Sequence, residues 1–119
     1  MDTATKLLIG IIAVGHIYFL WLEMFAWTSR GPKAFPKLNE SFFKITKVLA
    51  ANQGLYNGFL AAGLIWSLLI KNVAWSQNVA TFFLICVVIA GIYGAITVER
   101  KILFAQTIPA LIAVTLLII

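Results

Sequence analysis

The sequence predicts an all-α protein, a membrane-embedded bundle of four transmembrane helices. Composition is the first reason, because hydrophobic residues make up 62% of the 119 residues and charged residues only 11%. Soluble domains average about 25% charged residues. The second reason is that four apolar segments approach the length of roughly 20 residues with which a helix crosses a bilayer. The third is that basic residues are concentrated in particular links between these segments. A chain of this length is expected to form a single domain.

The apolar segments define four predicted spans joined by short polar links. The spans are predicted at residues 5–25, 43–70, 79–97 and 102–119. The links are predicted as a loop, a polar turn and a charged connection at residues 28–41, 71–78 and 99–101. The first span does not resemble a signal peptide, because His16 and Glu23 interrupt it and no small-residue cleavage pattern follows. Asn39 or Ser41 is expected to cap the second helix.

The distribution of basic residues predicts the orientation. Most of them lie in the first link, the start of the second helix or the third link: Arg30, Lys33, Lys37, Lys44, Lys47, Arg100 and Lys101. The opposite side of the membrane carries Lys6 and Lys71. Because cytoplasmic segments carry the excess of Lys and Arg, loops one and three are expected in the cytoplasm and both termini outside. This bias argues against a protein that inserts in both orientations.

Polar side chains are expected to meet at one depth of the predicted bundle. Asn52, Gln53, Tyr56 and Asn57 lie on one broad face of the second helix, in its cytoplasmic half. The other spans are expected to bring Glu23, Tyr93, Thr97 and Gln106 to the inner part of the membrane and His16 to near its middle. Polar groups within a membrane are costly and usually face protein or water. All nine residues are therefore predicted to line one ligand-binding pocket that opens toward the cytoplasm or the inner leaflet.

Each part of this pocket also has a purely structural interpretation. His16 and Glu23 are seven residues apart and share a helical face, which fits a proton-handling or ligand-binding pair. Alternatively, His16 hydrogen-bonds a neighbouring helix, and Glu23 reaches the interface or pairs with a basic loop residue. The amides of the second helix can likewise join membrane helices, each contact contributing about 0.6–2 kcal/mol.

Small residues and a proline predict the close contacts of the bundle. Gly54 and Gly58 have the Gly-x-x-x-Gly spacing, and Gly91 and Gly94 form a second small-residue patch. We expect the second and third helices to pack through these glycines, with a dimer contact as the alternative. Pro109 removes one hydrogen bond from the fourth helix and either kinks it or is tolerated as an ordinary membrane proline.

Four blocks of the chain resemble a bacterial family of small four-helix integral membrane proteins catalogued as a domain of unknown function. The blocks are residues 18–27 (YFLWLEMFAW), 51–63 (ANQGLYNGFLAAG), 91–97 (GIYGAIT) and 106–110 (QTIPA). The second block is the specific one, and the resemblance covers nearly the whole chain. It implies a multi-pass protein of the bacterial cytoplasmic (inner) membrane with four spans. It implies no substrate and no activity.

Three classes of function fit these residues. The first is binding or transport of a small polar or amphipathic molecule, with proton coupling through Glu23 and His16. The second is an enzyme acting on a lipid-like substrate, with Glu23 or His16 as general acid or base. The third is an accessory subunit of a membrane complex. The small size also fits a homodimer, and membrane lipid is the expected surrounding partner.

Metal and nucleic-acid chemistry find little support in the sequence. The chain has one histidine and one cysteine, Cys86, whereas zinc sites usually need three or four His, Cys or carboxylate ligands. No glycine loop for phosphate binding and no nucleic-acid module is recognisable. We therefore expect neither a metal nor a cofactor.

Overall fold

Helices account for all the regular structure of the computed structural model, which describes residues 1–119. The helices are α1 (Thr3–Phe25), α2 (Trp27–Ala34), α3 (Glu40–Ile45), α4 (Lys47–Leu69), α5 (Val73–Thr97) and α6 (Ile108–Ile118), with a π-helical turn at Leu103–Thr107 before α6. There is no β-strand. The predicted all-α fold is confirmed.

Two of the helices, α1 and α5, are long and apolar enough to cross a bilayer. Only 28% of the apolar window of α1 and 22% of that of α5 is buried within the protein, so most of these side chains lie on the surface. Helix α4 is as long as α1 but carries four polar residues between positions 52 and 57, which lower its hydropathy. The apolar helical segment Leu103–Ile118 is shorter. Of the four predicted spans, two therefore coincide with possible membrane-spanning helices.

The chain divides into two units, and α1 and α4 contribute to both. The first unit consists of Met1–Val14 and Leu60–Ile119. Four helices supply the buried core of this unit: Ile9, Ile12 and Ala13 from α1, Leu64 from α4, Ala80, Leu84 and Val87 from α5, and Ala110 and Ala113 from α6. Gly63 of α4 lies directly against the ring of Phe83, where a Cβ would overlap that ring. The absence of a side chain thus allows α4 and α5 to approach closely.

Helix α5 begins at Val73, well before the span predicted at residues 79–97. Asn72 caps it, because the backbone N–H of Trp75 donates to Asn72 Oδ1 at 3.0 Å. Ser76 is buried and its hydroxyl donates to the carbonyl of Ser67 at 2.7 Å. Residues 71–78, predicted to be a turn, therefore lie mostly in a helix, because the cap and the buried contact satisfy several of their polar groups.

The fourth helical segment changes its winding just before Pro109. In the π-helical turn, the N–H of Ile108 donates to the carbonyl of Leu103, five residues earlier. In a regular α-helix the proline ring would clash with the carbonyl four residues before it, and a wider turn relieves this clash. Gly91 of α5 lies against this turn, where a Cβ would overlap the hydroxyl of Thr107. The irregularity that Pro109 suggested is therefore a π-helical turn packed on α5.

The second unit is Gly15–Phe59 and includes two short helices, α2 and α3, that the sequence did not predict as separate elements. The predicted loop contains α2 and the start of α3, and the predicted second helix is interrupted at Thr46. Asn39, one of the two expected caps, accepts a hydrogen bond from the backbone N–H of Ser41 at 3.3 Å. Thr46 Oγ1 accepts a hydrogen bond from Trp27 Nε1 at 3.0 Å and donates to the carbonyl of Phe42 at 2.6 Å. The Trp27–Thr46 contact therefore ties the start of α2 to the end of α3.

Candidate functional site

Glu23 and Asn57 form the centre of the candidate site, in the unit Gly15–Phe59. Asn57 Nδ2 donates a hydrogen bond to Glu23 Oε1 at 2.5 Å, joining α4 to α1. Asn57 is only 7% exposed, and Glu23 is partly buried. Both residues were predicted to lie at one depth on different helices, and the structure places them in direct contact.

Glycine 54 explains how α1 and α4 approach closely enough for this contact. A Cβ at Gly54 would lie 2.7 Å from Met24 Cγ, 3.0 Å from Glu23 Cβ and 3.1 Å from the carbonyl oxygen of Leu20. One turn later, a Cβ at Gly58 would lie 2.6 Å from Leu20 Cδ1. The Gly-x-x-x-Gly spacing therefore serves the contact between the first and second predicted spans, not the expected contact between the second and third.

The second small-residue patch likewise has a different partner from the one predicted. A Cβ at Gly91 would lie 3.1 Å from Gln106 Cβ, and a Cβ at Gly94 would lie 3.1 Å from Ile102 Cγ2. Both neighbours belong to the start of the fourth helical segment. Close approach at the glycines was thus predictable from the residue type, whereas the partner helix was not.

The other polar residues of α4 are exposed, so the cluster divides between two sides of the helix. Asn57 and Gly54 are buried, whereas Asn52, Gln53 and Tyr56 are exposed. Asn52 Nδ2 donates to the carbonyl of Val48 within its own helix at 3.3 Å. These three side chains therefore present amide and hydroxyl groups to the surroundings of α4, next to the Glu23–Asn57 pair along the chain.

His16 lies two helical turns before Glu23 on α1 and is 2% exposed. Its ring meets the ring of Phe19 edge to face, with centroids 5.5 Å apart. His16 is therefore packed among neighbouring side chains, on the helix that also carries Glu23.

The remaining predicted site residues belong to the other unit, Met1–Val14 and Leu60–Ile119. Tyr93 and Thr97 are exposed, and the hydroxyl of Thr97 donates to the carbonyl of Tyr93 at 2.7 Å. Gln106 is partly buried in the π-helical turn. Their convergence with Glu23 on one pocket stays a prediction.

No metal cluster singles out another site, and the cavity that stands out is shallow. No group of three or more His, Cys, Asp or Glu side chains is arranged to hold a metal ion. A shallow apolar depression of about 260 Å³ lies along α6, and none of the predicted site residues lines it. The depression is lined by Ile108, Leu111, Ile112, Thr115 and Leu116.

Comparison with known proteins places the chain in a family. A family model described as "Protein of unknown function (DUF1304)" matches residues 10–118. The chain belongs to this family. The match to DUF1304 includes Glu23, Asn57 and every other residue of the candidate site. The expected membership of a family of unknown function is thereby confirmed.

One relative of this DUF1304 chain is the "Uncharacterized protein YpaA" of Lactococcus lactis subsp. lactis (strain IL1403). It is 27% identical over 115 residues, which cover 95% of each protein. No solved structure matches the chain.

Proposed function

We propose that this DUF1304 protein binds or transports a small polar or amphipathic molecule at an intramembrane site centred on Glu23 and Asn57. The observation that carries the proposal is the hydrogen bond between these two side chains on different helices. One of the helices, α1, is long and apolar enough to span a bilayer. A carboxylate in such a helix is costly unless it has a function or a partner.

The proposal places the chain in the bacterial inner membrane with four spans, formed by α1, α4, α5 and the segment Leu103–Ile118. Two of these spans do not by themselves identify a membrane helix, because α4 is less apolar and α6 is shorter. Large exposed apolar side chains on both helices support this placement. On α4 they are Val48, Leu49, Leu55, Phe59, Ile65, Trp66 and Leu69, and on α6 they are Ile108, Leu111, Ile112, Leu116 and Ile118. Hydrocarbon is a suitable environment for such surfaces, and contiguous exposed apolar patches are uncommon on soluble monomers.

The chemistry of the pair suggests what the ligand offers. A carboxylate accepts several hydrogen bonds, and the protein supplies one to Glu23, from Asn57. The remaining capacity suits an amine, a hydroxyl or another hydrogen-bond donor. Asn52, Gln53 and Tyr56, which are exposed on α4, add amide and hydroxyl groups for a polar ligand. A proton or a cationic ligand on Glu23 would remove the cost of an isolated charge in the membrane, which is why the proposal includes proton coupling.

The test compares small molecules that co-purify with three forms of the protein in mild detergent. Wild type, E23Q and L111A are purified in parallel, and bound molecules are extracted and identified by mass spectrometry. Leu111 is an exposed apolar residue of α6 and serves as the matched control. We expect a polar or amphipathic molecule with wild type and L111A, reduced at least about tenfold in E23Q, because a hydrogen bond to a charged group contributes about 1.5–3 kcal/mol.

Reconstitution in proteoliposomes separates the functional classes. Proton movement that depends on the identified molecule would support transport, whereas its chemical conversion would support the enzyme class. Equal retention of all molecules by wild type and E23Q would refute a site centred on Glu23.

A further inference from the structure

The linking segment, residues 27–47, runs from the end of α1 to the first residue of α4 and is a folded element, not an extended loop. The indole of Trp27 donates to Thr46 at 3.0 Å, so the two ends of the linking segment are tied together. The ring centroids of Trp27 and Phe43 are 4.9 Å apart, and Phe43 is almost completely buried. Gly31 lies against the same ring, since a Cβ there would be 2.6 Å from Phe43 Cδ1. This aromatic packing fixes α2 and α3 relative to each other.

The folded linking segment carries a dense set of exposed cations. These are Arg30, Lys33, Lys37, Lys44 and Lys47, whereas Glu40 is the one acidic residue of the segment. The salt bridge of the protein lies elsewhere and joins Lys101 to Glu99 at 3.8 Å. None of the five cations of the linking segment is in an ion pair. The segment thus presents positive charge that no acidic side chain of the protein neutralises.

Exposed apolar side chains accompany these cations. Ile45 is 81% exposed, and Phe42, Val48 and Leu49 are exposed next to it along the chain. A surface that combines apolar side chains with Lys and Arg is typical of segments lying at a membrane interface. There the apolar groups enter the acyl boundary and the cations meet the headgroups.

We infer that the linking segment is a docking surface for the anionic headgroups of the bilayer in which the protein is embedded. The occupant is a lipid surface because the segment directly follows α1, which can span a membrane, and because apolar and basic side chains are exposed together. Each basic residue near an anionic membrane surface strengthens binding about fivefold. The inference shares the membrane placement of the proposed function but does not depend on the Glu23–Asn57 site.

The test measures which phospholipid the purified protein retains. The protein is incubated in mixed micelles with equal amounts of phosphatidylglycerol and phosphatidylcholine of identical acyl chains, then re-isolated, and its bound lipid is quantified by mass spectrometry. The test variant is K33Q/K37Q/K44Q/K47Q, and the control variant K6Q/K71Q/R100Q/K101Q removes the same charge elsewhere. All eight residues are exposed, so both variants are expected to fold, which circular dichroism checks.

We expect wild type and the control variant to prefer phosphatidylglycerol at least about tenfold, and the test variant to lose most of this preference. Raising NaCl to about 1 M should weaken the preference of wild type, because the Debye length falls to about 3 Å. Equal preference in both variants would overturn the inference. The inference would also be overturned if inorganic phosphate displaced bound phosphatidylglycerol more strongly than NaCl did at equal ionic strength. That result would indicate a site for free phosphate.

The E23Q variant separates this inference from the proposed function. It should keep the preference for phosphatidylglycerol while losing the co-purified ligand. Loss of the lipid preference in E23Q would contradict an independent surface on the linking segment.

Discussion

At the scale of single residues, the Glu23–Asn57 pair has more hydrogen-bonding capacity than is needed to join two helices. The buried Asn57 amide needs an acceptor, and Glu23 provides it. A glutamine at position 23 would offer the same acceptor without charge, so the carboxylate exceeds what the contact demands. Asn57 in turn supplies one donor to a group that can accept several hydrogen bonds. This asymmetry favours a ligand or a proton as the additional partner of Glu23.

Substitutions of the pair separate its structural role from a binding role. N57A should lower the free energy of unfolding in micelles by about 1–3 kcal/mol, because it leaves Glu23 partly buried without a donor. The double variant E23L/N57L should come close to wild-type stability, because it removes both polar groups together. N52A, which removes an exposed amide bonded only within its own helix, should change stability by less than about 0.5 kcal/mol. Retention of the co-purified molecule by E23L/N57L would show that the pair is structural only.

At the scale of helices, glycines determine which surfaces meet. Gly54 brings α4 against α1, Gly63 brings α4 against α5, and Gly91 brings α5 against the π-helical turn. At each position a side chain would overlap or crowd its neighbour. Since these contacts depend on the absence of a single Cβ, they are sensitive to the smallest substitution.

The variant G54A tests this dependence at the candidate site. Its Cβ would meet Glu23 Cβ at 3.0 Å and the carbonyl oxygen of Leu20 at 3.1 Å, and a backbone atom cannot move aside as a flexible side chain can. We expect a loss of about 1–3 kcal/mol in the free energy of unfolding. In the control G10A, no neighbouring atom lies within 4 Å, so the better helix propensity of alanine should raise stability by up to about 1 kcal/mol. Equal effects of both substitutions would contradict the close contact at Gly54.

The sequence predicts the long helices better than it predicts their partners. Apolar runs were sufficient to locate α1, α4 and most of α5, because hydropathy depends on residue type. Helix α2 was missed since Gly31 and Pro32 are typical of a loop, and α3 was predicted as the start of the second span and not as a separate helix. Short helices gain most of their stability from tertiary packing, here around Trp27 and Phe43. No local pattern reports such packing.

For the candidate site, too, the sequence predicted the positions of residues along their helices better than it predicted the contacts between helices. Glu23 and Asn57 were predicted to lie at one depth because the helix lengths and the positions of the links set the distance of each residue from the helix ends. The division of the polar face of α4, with Asn57 buried and Gln53 exposed, depends on how α1 lies across Gly54. A Gly-x-x-x-Gly spacing predicts a close approach but does not identify the approaching helix.

At the scale of the whole molecule, the middle parts of the long helices carry apolar side chains and no basic residue. Large exposed apolar side chains occur along α1, α4, α5 and α6. Basic residues lie in the links or near helix ends, and most of them follow α1 or α5. If all four predicted spans cross a membrane, the excess of basic residues predicts that the linking segment and the connection after α5 both face the cytoplasm.

Labelling with an impermeant maleimide tests this orientation and the number of spans together. Cys86 is first replaced by alanine, and K33C, K71C or R100C is then introduced singly; all three positions are exposed. With four spans, K71C should be labelled in spheroplasts, and K33C and R100C only after permeabilisation. If α1 and α5 alone cross the membrane, positions 33 and 71 lie on one side and position 100 lies on the other. In that case K33C and K71C would both be protected in spheroplasts, and R100C would be labelled. Partial labelling at all three positions would instead indicate insertion in both orientations, against the strong bias of the basic residues.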